Sequence, residues 1–208
     1  PRAARHDDDD ADSIDPIDCL PLLSTRHLLA MTDDTGILQH AIYCVPNTRE
    51  GYTTDDNARA LIVSTLLDKS AVVEHCEDDL NLSRRYLAFL WLAFHSDTGR
   101  FRNFLGYDRT WLEDVGSEDS HGRTLWALGE CARSDISLSR RLWAARLFEE
   151  ALPSAEEFGS PRAWAFCLLG LDAYCSAIPD NALARRLRGL LADRLICLLA
   201  SVETENWV

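Results

Sequence analysis

The chain has 208 residues, of which 47% are apolar and 26% are charged, a composition that supports one sizeable hydrophobic core. Its formal net charge of −13 opposes binding to the backbone of a nucleic acid or to an anionic membrane surface. The sequence contains no run of 18 apolar residues, so it predicts no membrane-spanning helix.

Residues 1–18 are polar and rich in acids, and they are predicted to form a disordered linker. Residues 19–208 are predicted to form one domain. The chain begins with Pro1 and ends in “SVETENWV”, directly after a helical pattern. We therefore expect both ends to be cut from a longer protein and the domain to be truncated at its C-terminus.

Helical periodicity dominates the domain, whereas the alternation typical of strands is scarce. The sequence therefore predicts an all-α fold. A short extended piece is expected near 37–45, and the long connections 32–53 and 96–118 are expected to be functional. The predicted helices cover residues 19–31, 54–68, 81–95, 119–132, 137–151, 160–175 and 181–200.

Three of these helices begin alike. The segments “NARAL”, “HGRTL” and “PRAW” align on Arg59, Arg123 and Arg162, with acids or serine one turn upstream. Helices that open with paired arginines, such as “LSRRYLAFLWLAF”, alternate with them. This alternation predicts antiparallel helical hairpins whose acid-rich helix starts gather at one rim.

The first acid-rich start is “TTDDNARAL”. Thr53 and Asp56 have the spacing of a capping box, and acids in a first helical turn interact favourably with the helix dipole. Capping needs only one of the two acids, so Asp55 and Asp56 are candidate catalytic residues. The arginines Arg59, Arg123 and Arg162 could bind an anionic sugar, but pairing with neighbouring rim acids is the favoured interpretation.

The second cluster, “WLEDVGSEDSHGR”, holds more acids than capping by Ser117 or Ser120 requires. Its Glu118 and Asp119 are candidate catalytic residues. Tyr107 and Trp111 could stack on a sugar face or anchor the loop. The candidate substrate-binding residues of this region are Tyr107, Trp111, Asp114 and His121.

The seven cysteines are odd in number and include no CxxC pair. Cys131, Cys167 and Cys197 lie inside apolar helical patterns, which favours reduced, mostly buried thiols in a cytoplasmic protein. Neither an HExxH motif nor a Gly-rich phosphate loop is present, so the sequence predicts no metal and no cofactor.

Four segments together resemble a bacterial domain that is often joined to retaining-type glycosyltransferases: “MTDDTGILQHA”, “GYTTDDNARAL”, “GSEDSHGRTLWALG” and “SPRAWAF”. That domain belongs with the six-hairpin, or (α/α)6-toroid, glycosidase-like proteins. The resemblance runs from about residue 20 to 208 and implies about half of a toroid. The first segment contains Gln39 and His40, which complete the candidate substrate-binding residues.

The expected function is that of a carbohydrate-active domain of glycoside hydrolase type, inactive as this fragment. Glycoside hydrolysis needs two carboxylates, and acids at helix starts suit the base or nucleophile better than the proton donor. Two alternatives stay open. One is a non-catalytic accessory domain that positions a glycan for a glycosyltransferase in the same chain. The other is a sugar epimerase or isomerase, which would need His121 and a second histidine facing one cavity.

Overall fold

The computed structural model describes residues 23–67 and 82–202, and within these ranges the chain is largely α-helical, as predicted. The predicted linker 1–18 lies outside the described residues. Of the helix predicted over 19–31, only five of the described residues are helical, and residues 19–22 lie outside the described part. The helices are α1 (Arg26–Ala30), α2 (Thr54–Leu67), α3 (Leu82–Ala93), α4 (Glu118–Ser134), α5 (Leu138–Ala151), α6 (Pro161–Ala177) and α7 (Ala182–Val202).

Three antiparallel pairs of two-residue strands lie between α1 and α2 and between α3 and α4. One short 3-10 turn, Thr48–Glu50, precedes α2, and another, Leu152–Glu157, follows α5. The first pair is the extended piece predicted near 37–45. The other two pairs are too short to give a period-two sequence signal, and one of them ends α3 at Ala93, before the predicted residue 95. The pairs are β1 (Ala41–Ile42) with β2 (Val45–Pro46), β3 (Tyr52–Thr53) with β6 (Phe104–Leu105), and β4 (Phe94–His95) with β5 (Arg100–Phe101).

Helices α4 and α6 lie side by side and run parallel. A methyl group built on Gly122 would meet the backbone of Ala163, and one built on Gly129 would overlap the carbonyl oxygen of Gly170. In both cases the contacted residue of α6 lies the same number of positions further along the chain. Because the contacts advance in the same direction along both helices, the helices are parallel. Glycine at the seam lets the two backbones approach more closely than any larger residue would allow.

Helix α5 returns antiparallel to α4. His121 at the start of α4 contacts Ala151 at the end of α5, and Asp135 after α4 pairs with Arg140 near the start of α5. Helix α7 is likewise antiparallel to α6, because Arg194 late in α7 lies over the ring of Trp164 early in α6. The hairpin alternation predicted from the sequence is therefore confirmed for these helices. Closure into a toroid stays a prediction.

The core lies around α4, which packs against α2, α5 and α6. Cys131 and Cys167 are fully buried in this core, as predicted. Cys197 is exposed, which contradicts the prediction, because the final turns of α7 are not covered by another described helix. Within residues 23–67 and 82–202, no helix is both long enough and apolar enough to cross a bilayer.

Candidate functional site

The N-terminal ends of α2, α4 and α6 surround one polar cavity of about 370 Å³, which we call the polar cavity. It brings together the acid-rich helix starts that the sequence predicted to share a rim, together with part of the connection 32–53. Half of its lining residues are candidate site residues of the sequence analysis, and the others come from the starts of the same helices or from the segments before them. The lining residues are Gln39, His40, Thr53, Asp55, Asp56, Asn103, Phe104, Ser117, Asp119, Ser120, Arg123 and Arg162.

Asp55 bridges two helices. Its Oδ2 atom lies 2.6 Å from a guanidinium nitrogen of Arg59, one turn along α2, and its Oδ1 atom pairs with Arg123 of α4. The side chains of Asp55 and Arg123 are 17% and 19% exposed, so solvent screens this pair less than an exposed one. The favoured interpretation of these arginines, that they pair with neighbouring rim acids, is confirmed: Arg59 pairs within α2, and Arg123 pairs from α4 across to α2.

Asp56 has the more available carboxylate at this helix start. Its backbone N–H donates to Thr53 Oγ1 at 3.1 Å, and the same hydroxyl donates to Asp56 Oδ2 at 2.6 Å. The predicted capping interaction is thus present. The other oxygen lies 3.4 Å from Arg59, and the side chain is 29% exposed. Among the described residues, Asp56 Oδ1 therefore has one long contact, and Asp56 lines the polar cavity.

Asp119 links α4 to α6 as Asp55 links α2 to α4. The Ser160 hydroxyl donates to its Oδ1 atom at 3.1 Å, and Arg162 pairs with Oδ2. Arg162 is 71% exposed, so this pair is largely open to solvent. Serine caps complete both helix starts: Ser117 accepts from the Ser120 N–H, and Ser160 accepts from the Ala163 N–H.

Asn103 holds two of the helix starts together, a role that the sequence did not predict. Its carbonyl oxygen accepts the Thr54 N–H at 2.8 Å, and its side-chain oxygen accepts both the Asp55 N–H at 3.1 Å and the Ser120 hydroxyl at 2.8 Å. Its own N–H donates to Glu113 Oε1 at 2.7 Å. The only sequence signal was its place in a long connection. Its partners are too distant along the chain to create a motif.

Two candidate residues of the second cluster do not line the polar cavity. Glu118 accepts the N–H groups of Gly159 and Ser160 at 3.0 and 2.8 Å, so it orders the turn before α6. His121 is fully buried between the rings of Phe101 and Phe158. Its placement in the core gives it no direct contact with a ligand in the polar cavity.

The environment of His121 favours its neutral form. Burial, with a smaller effect from the nearby Arg100 cation, lowers its pKa from 6.5 to about 3. The Ala151 carbonyl can only accept, so Nε2, at 3.1 Å, carries the proton and donates. The buried Nδ1 atom then has no hydrogen-bond partner among the described residues.

The two candidate aromatic residues of the loop before α4 do not line the polar cavity. Trp111 carries the Arg102 guanidinium 4.7 Å above its ring and packs edge-on against Phe89. Tyr107 stacks on Tyr52 and is 54% exposed. Both rings therefore contact the protein itself, which favours loop anchoring over stacking on a sugar in this cavity.

Two charged candidates also lie outside the lining of the polar cavity. Arg59 is 52% exposed and reaches the cavity only through its contacts with Asp55 and Asp56. Asp114 is exposed on the loop before α4. The substrate-binding candidates that do line the cavity are therefore Gln39, His40 and Arg123.

The cavity offers hydrogen-bonding groups of both kinds. Carboxylate and amide oxygens accept, while guanidinium, amide and hydroxyl groups donate. The described residues include no group of three or more His, Cys, Asp or Glu side chains that could hold a metal ion.

No protein-family model matches the chain, and neither the curated proteins nor the solved structures contain a significant match to it.

Proposed function

We propose that the chain is a carbohydrate-active domain of glycoside hydrolase type that acts on or binds a glycan in the polar cavity. One observation carries the proposal: two acid-rich helix starts converge on this cavity, so that Asp55, Asp56 and Asp119 lie among guanidinium, amide and imidazole side chains. Each sugar hydroxyl both donates and accepts, and a cavity lined with both kinds of group suits it. The volume of about 370 Å³ lies within the range of small-molecule sites.

Asp56 is the residue we propose as the base or nucleophile. Asp55 and Asp119 each have both carboxylate oxygens held by arginine or serine side chains, whereas Asp56 keeps one oxygen nearly free. Hydrolysis also needs a proton donor on the other side of the scissile bond. Of the acids lining the polar cavity, Asp119 is the one contributed by a different helix, but Arg162 and Ser160 hold both of its oxygens, so we propose that it positions the glycan on that side rather than donating the proton.

The larger architecture is also part of the proposal. Helices α4 and α6 run parallel, α5 and α7 return in the opposite direction, and α2 begins beside the start of α4. Half of an (α/α)6 toroid would contain such an arrangement. On the resemblance of its motifs, we propose a bacterial, cytoplasmic protein of the six-hairpin glycosidase-like type. A glycosyltransferase domain in the same chain is its proposed partner.

A non-catalytic accessory domain is the second candidate function. The ion pairs of Asp55 and Asp119 favour it, because acids held by arginine can position sugar hydroxyls without taking part in proton transfer. A sugar epimerase would need His121 and a second histidine facing one cavity. His40 lines the polar cavity but His121 lies in the core, so no observation favours this alternative.

The test measures both binding and hydrolysis. Binding of the 208-residue chain to gluco-, manno- and galacto-oligosaccharides is followed by calorimetry, and hydrolysis is followed by the release of reducing ends with the full-length protein that contains this chain. Asp56→Asn and Asp119→Asn keep the size of each side chain while removing its charge. Asp97→Asn, at an exposed position in the β4–β5 turn, is the matched control.

A hydrolase predicts that Asp56→Asn lowers turnover by roughly 10²–10⁴-fold, the usual contribution of a general base, while the melting temperature is unchanged. If an oligosaccharide binds in a way that depends on the polar-cavity residues, but neither the parent nor any variant hydrolyses it, the accessory role would become the favoured function. The proposal would be overturned if no oligosaccharide were bound or hydrolysed. It would also be overturned if the control Asp97→Asn had the same effect as Asp56→Asn and Asp119→Asn.

A further inference from the structure

A second and larger cavity, of about 520 Å³, shares no lining residue with the polar cavity. We call it the arginine cavity. It is formed by the turn around Asp34 and Thr35, one face of α3, and the loop that carries Arg109. Its lining residues are Asp34, Thr35, Arg84, Arg85, Ala88, Phe89, Leu92 and Arg109.

The charge of this cavity opposes that of the chain. Three arginines and a single aspartate line it, whereas the whole sequence carries a formal net charge of −13. Arg84 and Arg85 have no ion-pair partner among residues 23–67 and 82–202. Both lie in the first turn of α3, where the positive end of the helix dipole adds to their charge. The cavity thus concentrates positive charge that the described carboxylates do not neutralise.

The third arginine is held in an unfavourable backbone conformation. Arg109 has a φ angle of 66°, which L-residues other than glycine rarely adopt. The loop maintains it through hydrogen bonds: the Arg109 N–H donates to the Gly106 carbonyl at 2.8 Å, and the Gly106 N–H donates to the Thr110 carbonyl at 2.9 Å. Backbone strain of this kind clusters at active sites and at sites that clamp a ligand.

The existing partner of Arg109 is weak. Its guanidinium lies 3.0 Å from Asp34, but the two side chains are 60% and 82% exposed. Ion pairs this exposed contribute little to stability. The other acid of the turn, Asp33, accepts hydrogen bonds from Tyr52 and from the N–H groups of Thr35 and Gly36, and it does not line the cavity. An incoming anion can therefore replace Asp34 as the partner of Arg109 at small cost.

We propose that the arginine cavity binds the phosphate monoester of a small organic molecule. Its three guanidinium groups hold the phosphate, because their planar donor pairs match phosphate oxygens in a bidentate manner. The apolar face of α3 formed by Ala88, Phe89 and Leu92 carries the organic part. A dianion suits a cavity whose lining carries two more positive than negative side chains.

Calorimetry on the 208-residue chain with four probes tests this proposal. Phenyl phosphate offers both the charge and the apolar ring, inorganic phosphate only the charge, phenol only the ring, and benzoate a single negative charge. We expect phenyl phosphate to bind about tenfold more tightly than each of the other three. If phenol bound as tightly as phenyl phosphate, the role of the arginines would be overturned. If benzoate bound as tightly as phenyl phosphate, the assignment to phosphate would be overturned.

Substitutions locate the site. Arg85→Gln and Arg109→Gln should each weaken phenyl phosphate binding by about tenfold, since each removes a charge-assisted contact. Arg146→Gln, an exposed arginine of α5, and Asp56→Asn in the polar cavity should leave it unchanged. Arg109→Gly removes the side chain and suits the positive φ, so it should lose binding while its melting temperature is equal to or above that of the parent. Unchanged affinity in the Arg85 and Arg109 variants, or no binding of phenyl phosphate, would overturn the proposal.

Discussion

Helices α4 and α6 are held together in two different ways along their length, at a glycine seam and at a polar rim. At the seam, Gly122, Gly129 and Gly170 let the two backbones touch, in a region closed to water. At the rim, Asp119 pairs with Arg162, whose side chain is 71% exposed. The seam tolerates no added atom, whereas water can replace a lost contact at the rim. We therefore expect stability to depend more on the seam than on the rim, where substitutions should be better tolerated.

The largest effect is expected at the seam. A methyl group at Gly170 would lie 2.5 Å from the Leu125 carbonyl oxygen and 2.6 Å from its carbon, both of which are backbone atoms of α4. Gly170→Ala should therefore lower the free energy of unfolding by about 2–3 kcal/mol, as overpacking does, although alanine favours helices. Urea denaturation measures this.

The control for the seam is Gly189 in α7, where an added Cβ would meet no atom within 4 Å. Gly189→Ala should raise the free energy of unfolding by about 0.5–1 kcal/mol, because alanine loses less backbone entropy in a helix. If both alanine variants were stabilised, the close approach of α4 and α6 would be wrong.

The second effect is expected where the rim meets the core, at His121. Its pKa is about 3 in the folded state and 6.5 in the unfolded state, so the unfolded chain binds a proton that the folded chain does not between these values. The stability associated with the neutral ring is complete above pH 6.5 and is lost as the pH falls towards 3. The loss is at most about 1.4 kcal/mol per pH unit.

His121→Leu should remove this part of the pH dependence, whatever it does to stability at neutral pH. The measurement is a series of denaturation curves between pH 7 and pH 4 for the parent, for this variant and for His27→Gln, which changes an exposed histidine. A parent and a His121→Leu variant with the same slope would show that protonation of His121 is not linked to folding.

A smaller effect is expected at the less exposed pair of the rim. Arg123→Gln removes one of the two partners of Asp55 and the stacking of the guanidinium 4.5 Å above the Phe166 ring. The Asp55–Arg123 pair is intermediate between a buried and an exposed one. We therefore expect the free energy of unfolding, measured by thermal or urea denaturation, to fall by about 1–2 kcal/mol. A loss as large as that of Gly170→Ala would contradict the division of roles between seam and rim.

The smallest effect is expected at the exposed pair. Arg162→Gln should lower the free energy of unfolding by less than about 1 kcal/mol, since its partner Asp119 keeps the Ser160 hydroxyl and water as donors. The same variant should weaken glycan binding in the polar cavity, which Arg162 lines. A variant that loses stability but keeps glycan affinity would assign Arg162 a purely structural role.

Local sequence signals were sufficient for the helices and for most of the rim. Hydrophobic periodicity placed six of the seven helices within a few residues of their bounds, because each long helix repeats its apolar pattern over several turns. The repeated acid-then-arginine start correctly predicted that Asp55, Asp119 and Arg123 share a rim. Both signals depend on neighbours along the chain, which a sequence displays directly.

Contacts between residues far apart in the chain were decided only by the tertiary structure. His121 looked like a rim residue, but α4 turns it towards Phe101 and Phe158 in the core. Asn103 joins two helix starts, and Arg109 approaches α3 across the turn at Asp34. The sequence by itself determined which segments are helices and how each begins. Only packing decided the direction of each polar side chain, because a helix start exposes residues on several faces and its neighbours select one of them.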